Sequence, residues 1–120
     1  MKRRSGFTLV EIMIVVAIIG IIISIAIPGF LRARETSRAR ACQENLSKID
    51  GAKEQYALDR NLAHNGTISG GWTDLVGPTN YLKTQPTCPA GGNYTMNNIG
   101  VAPICDYSEP SWLTIQHELP

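Results

Sequence analysis

The chain has 120 residues, 11 Lys and Arg against 10 Asp and Glu, a net charge of +1 and three cysteines. That length allows one small domain, and the charge balance excludes a generally basic nucleic-acid-binding protein. The charges are unevenly placed. Lys2, Arg3 and Arg4 open the chain, and Arg32, Arg34, Arg38 and Arg40 form a second basic cluster relieved by Glu35. After Ala41 there are four Lys or Arg and eight Asp or Glu, so the C-terminal part is acidic. The arginine cluster reads as a collar at lipid headgroups, or as partners for a neighbouring subunit, rather than as a DNA site.

From Phe7 to Ile27 the sequence is almost entirely Ile, Val, Ala, Leu, Met and Gly. A helix needs about twenty such residues to cross a bilayer. One charge, Glu11, lies inside the run. A carboxylate in hydrocarbon is costly and therefore calls for a partner and a function. Nothing within the run can supply the opposite charge. Basic residues flank both ends, and the denser N-terminal flank is taken as cytoplasmic. The run is too long for the apolar region of an ordinary secretory signal, about seven to fifteen residues. Ser24-Ile25-Ala26 is the one passable site for such cleavage.

The basic leader, Gly6-Phe7-Thr8-Leu9-Val10-Glu11 and the long apolar helix together resemble the type IV prepilin and pseudopilin signature. The resemblance implies cleavage after Gly6 by a prepilin peptidase and N-methylation of Phe7. It also implies that Glu11 pairs with the N-terminal amine of a neighbouring subunit, setting the axial register of a filament. Gly20 and Pro28 match the family's helix-loosening glycine and kink proline. The residues alone leave another reading of Glu11, a side chain that merely snorkels to the interface.

Pro28 should kink the helix rather than end it. Beyond it Ala39, Cys42, Leu46, Ile49, Ala52 and Tyr56 recur at steps of three and four, one face of an amphipathic helix. Arg40, Glu44, Lys48, Lys53 and Glu54 are assigned to the opposite face. One helix is expected from about Phe7 to Arg60, roughly 80 Å long. Residues 61–71 are a loop of Asn, Gly, Ser, Thr and His. Trp72–Val76 reads as a short helix capped by Thr73 or Asp74, or as a turn. Three β segments are expected at Asn93–Met96, Val101–Cys105 and Trp112–Gln116, with Asn97–Gly100 as a hairpin loop. Pro103 suits an edge strand or a strand start.

The expected fold is α+β and pilin-like: one long N-terminal helix, its first half transmembrane, packed against a small three-stranded antiparallel sheet. The expected segments are a leader at 1–6, a transmembrane assembly helix at 7–28, its amphipathic continuation at 29–60 and a small head at 61–120. The stretch Tyr81-Leu82-Lys83, Pro86, Gly92-Asn93-Tyr94 resembles the major pseudopilins of type II secretion, which have Asp-Pro-Trp-Gly where this chain has Cys88-Pro89-Ala90-Gly91. Their acidic calcium loop has no counterpart in Asp106, Glu109 and Glu118, which lack the spacing of such a loop.

Three cysteines in an exported head point to one disulfide and one spare thiol. Cys88 with Cys105 is the first choice, worth about 3 kcal/mol, with Cys42 reduced and buried. Cys42 with Cys88 and Cys42 with Cys105 are the other pairings. His64 and His117 could join cysteines around a metal, but no Cys-x-x-Cys or His-x-x-His spacing occurs, so neither a metal nor a cofactor is expected. No nucleophile context or phosphate loop appears, so an enzyme is not expected.

The function read from the sequence is thus a structural subunit of a type IV pilus-like filament, polymerised through its apolar helix. A type II secretion pseudopilin is the first alternative, and a membrane-anchored binding module that never polymerises the second. A secreted enzyme released by ordinary signal peptidase is a third. Partners are further copies of the chain, prepilin peptidase, the pilus or secretion assembly machinery, and membrane lipid before assembly; nucleic acid is not among them. The expected location is the inner membrane with the head outside the cytoplasm, and then a periplasmic or surface filament.

Overall fold

A computed structural model describes residues 2–120. Its dominant element is helix α1, Leu9–Arg60, 52 residues that continue through Pro28. Helix α2 is Trp72–Leu75, strand β1 is Tyr94–Thr95 and strand β2 is Ile104–Cys105. The chain divides into two compact units after Arg34.

In the first unit the apolar side chains from Phe7 to Leu31 are exposed, Phe7 at 88 % and Ile25 at 75 %. This is the one helix among the described residues long and apolar enough to cross a membrane.

The second unit holds the core. The six stripe residues Ala39, Cys42, Leu46, Ile49, Ala52 and Tyr56 are all buried, as are Lys53 and Ala57. The period of 3.6 gathers them on one face. One apolar cluster joins Ala52, Tyr56 and Ala57 to Ile68, Leu75 and Ile99. A second joins Cys42 and Leu46 to Cys88, with Tyr94, Cys105 and Leu119 packed against it.

Lys53 corrects the expectation that put it on the polar face: its side chain is fully buried. Its ammonium donates to the carbonyls of Met96 at 2.7 Å, Asn98 at 3.2 Å and Val101 at 2.5 Å. Asp50 lies 3.6 Å away. Three donors meet three carbonyls, so the buried charge is satisfied by hydrogen bonds. The 96–101 loop is wrapped around this nitrogen. Asn97 and Gly100 turn it through positive φ. Ile99 is inserted into the core, where its amide donates to Gly66 O and its carbonyl accepts from Asn65 N.

The sheet has two strands rather than three. They pair antiparallel, Tyr94 opposite Cys105 and Thr95 opposite Ile104. Trp112–Gln116 forms no strand. Leu113 N bonds Pro110 O at 2.9 Å and closes a turn, and among the described residues the backbone of the tail pairs with β2 at a single bridge, between Ile104 and Glu118. Pro103, directly before β2, has no N–H to extend a ladder, so alternation in the tail finds no matching edge. The N-cap of α2 is Gly71, not Thr73 or Asp74. Asp74 instead accepts from Tyr56 Oη at 2.9 Å and Gly70 N at 3.1 Å.

Candidate functional site

Two places concentrate chemistry, one in each unit. In the first unit, α1 begins at Leu9, which makes Thr8 its N-cap and Glu11 the third helical residue. Thr8 N donates to Glu11 Oε2 at 2.8 Å, and Glu11 N donates to Thr8 Oγ1 at 3.3 Å. This is a reciprocal capping box, which satisfies two otherwise orphaned N–H donors. The Thr-x-x-Glu spacing before an apolar run would have announced it in the sequence. Gly6 and Phe7 lie immediately upstream and are exposed, and with Ser5 and Glu11 they line a small open hollow. A side chain at Gly20 would meet nothing within 4 Å, so packing within the chain gives no reason for a glycine there. Pro28 is likewise exposed.

In the second unit the structure joins Cys42 of α1, Cys88 of the turn before β1, Cys105 of β2 and His117 of the tail. One ligand atom from each lies within 4.8 Å of all the others. Cys88 Sγ is 3.7 Å from His117 Nδ1. The Cys88–Cys105 bridge expected from the sequence is not formed, and all three cysteines are free thiols. His64, the other histidine considered, is exposed and is not part of the group. The spacing argument missed the cluster because its four members come from four separate segments.

The surroundings treat the three thiols differently. Burial pushes the Cys42 thiol up to about 12, against a hydrogen bond from Tyr94 that acts the other way. Burial also raises Cys88, but the backbone N–H groups of Ala90 and Gly92 and the neighbouring thiols outweigh it, leaving this thiol below its ordinary value. Cys105 is raised by burial, only partly offset by the Tyr107 amide. Tyr94 Oη accepts from Asn45 Nδ2 at 3.2 Å, and burial raises the Tyr94 hydroxyl above its ordinary value.

Comparison with known proteins bears on the first place. Residues 1–27 match the model of the prokaryotic N-terminal methylation motif. Type II secretion system core protein G of Escherichia coli (strain K12) is 30 % identical over 110 residues, covering 82 % of this chain and 74 % of the relative. The chain belongs to the type II secretion core protein G family. It is a filament subunit of the pilin and pseudopilin class, a structural family. The Vibrio cholerae member is 31 % identical over 104 residues, covering 78 % of this chain and 70 % of its own length. The type IV major pilin PilA of Myxococcus xanthus is 41 % identical over 59 residues, but these cover 49 % of this chain and 27 % of the pilin. No solved structure matches. The apolar helix is long and apolar enough to serve as the membrane anchor such a subunit needs.

Proposed function

We propose that the chain is the major pseudopilin of a type II secretion filament, cut between Gly6 and Phe7 and methylated on Phe7. One observation carries the reading: the side chains of the apolar run are exposed, and its single charge, Glu11, sits one turn from the new amine that cleavage would create. In the membrane lipid covers this face. In a filament the helices of neighbouring subunits replace lipid, and Glu11 pairs with the Phe7 amine of the next subunit. At low dielectric such a pair is worth far more than an exposed one. Gly20 serves close helix packing and Pro28 local bending in that bundle. The head stands outside the cytoplasm.

The core protein G relatives support secretion over a surface pilus, since their similarity runs through the head while that to the pilin covers half the chain. Tandem mass spectrometry of the chain recovered from membranes tests the processing. The expected N-terminus is N-methylated Phe7; a chain beginning anywhere else would overturn it, and one beginning at Ile27 would mean ordinary signal cleavage.

A further inference from the structure

We propose that Cys42, Cys88, Cys105 and His117 bind one structural zinc ion that locks the head together. Four ligand atoms within 4.8 Å of one another need only a small contraction to surround a single ion. In a zinc tetrahedron with Zn–S bonds of about 2.3 Å, ligand atoms stand about 3.7 Å apart, and Cys88 Sγ to His117 Nδ1 is already 3.7 Å. Three sulfurs and one imidazole are a soft, closed ligand set of the kind that selects zinc and leaves no position for a substrate.

The environment is built around these atoms. The 88–92 turn is closed by Gly91 N to Cys88 O at 3.0 Å. A Cβ on Gly92 would come within 2.6 Å of Cys105 Sγ, so only glycine lets the turn approach that sulfur. His117 is 1 % exposed. Its amide donates to Glu109 Oε1, and the preceding carbonyl, Gln116 O, accepts from Gln43 Nε2 at 2.9 Å. The Tyr107 ring lies against the imidazole with centroids 4.6 Å apart. These contacts present Nδ1 to the Cys88 sulfur, while Nε2 is buried with no hydrogen-bond partner among the described residues. A disulfide between any two cysteines would leave the third sulfur and the imidazole buried at the same point with nothing to bind.

The ion would also supply what the sheet does not. Two strands of two residues each give the tail almost no ladder, and a small head needs a staple. Zinc would tie α1, the turn, β2 and the tail at one point. Binding converts three thiols to thiolates and releases up to three protons, leaving a site of net charge −1.

The test uses the full-length chain, produced with added zinc chloride and purified without reductant in mild detergent. Metal analysis should give about one zinc per chain, matching a closed four-ligand site, and all three cysteines should resist alkylation until a chelator is added. Cobalt(II) in place of zinc should give the strong visible absorption of a tetrahedral thiolate site. Cys42→Ser and His117→Ala should lose the metal, and His117→Cys should restore it with a shifted cobalt spectrum, a rescue that damage to the fold would not produce. A Cys88–Cys105 linked peptide with no zinc overturns the proposal, as does a Cys42→Ser or His117→Ala chain that holds zinc as tightly as the parent.

Discussion

The proposed filament gives Glu11 two tasks that one substitution can separate. Within the chain it closes the capping box with Thr8, at 2.8 and 3.3 Å. A helix cap of this kind is worth about 1 kcal/mol. Between subunits, in the proposed filament, it would carry the charge that meets the Phe7 amine. Two unit charges about 4 Å apart at an effective dielectric constant near 20 attract by about 4 kcal/mol, roughly a thousandfold in each subunit contact. Glu11→Gln keeps a side chain that can reach back to Thr8 N, since Gln also serves in a capping box, but removes the charge. Glu11→Ala removes both. Both variants should be cleaved and retained in the membrane, because the apolar run is intact. Both should fail to assemble, and to nearly the same degree, because the charge term outweighs the cap. The assay is the fraction of chain in sheared, sedimented filaments, with intact mass checking cleavage. Glu11→Gln filaments at the parent level would refute the pairing. If both variants remained uncleaved, Glu11 would belong to peptidase recognition instead.

Other expectations follow from the head. Lys53→Met should destabilise it by at least about 3 kcal/mol, because three buried carbonyls lose their donor at about 1–3 kcal/mol each; denaturant unfolding of the full chain in detergent measures this. Burial holds the Lys53 ammonium below its ordinary value, with Asp50 acting against it. Between that lowered value and the ordinary one the unfolded chain binds more protons, so stability should rise with pH across this window, and Lys53→Met should abolish the rise. Asp106 is held below the usual carboxylate range by the Asn93 backbone N–H, 2.5 Å from Oδ1, and by the Asn93 side chain. Its contribution should be complete above the ordinary carboxylate value and lost as pH falls through the depressed one, seen as faster exchange of the Asn93 amide. Leu46→Ala, at a fully buried position, should cost about 3 kcal/mol through the cavity it leaves.

What the sequence disclosed depended on how local each interaction is. The stripe from Ala39 to Tyr56 was legible because a helix turns its own periodicity into a buried face. The N-terminal motif and the apolar run were legible because each is written in one stretch of chain. Lys53 was not, because its three acceptors lie more than forty residues away in a loop with no pattern of its own. The third strand failed for a related reason: alternation in Trp112–Gln116 marks a possible strand but names no partner edge. The cysteines and His117 were read as unrelated because metal-ligand rules look for short spacings, and here the fold supplies the proximity. The capping box at Thr8 and Glu11 is local, and its Thr-x-x-Glu spacing is readable in the sequence.

Direct imaging decides whether the chain polymerises as proposed. Cells producing the chain together with its assembly machinery should yield thin fibres that bind antibody against the head, with apolar helices bundled in the centre in a cryo-electron microscopy reconstruction. Mature, methylated chain found only as dispersed membrane monomers, with no labelled fibre even on overproduction, would contradict it.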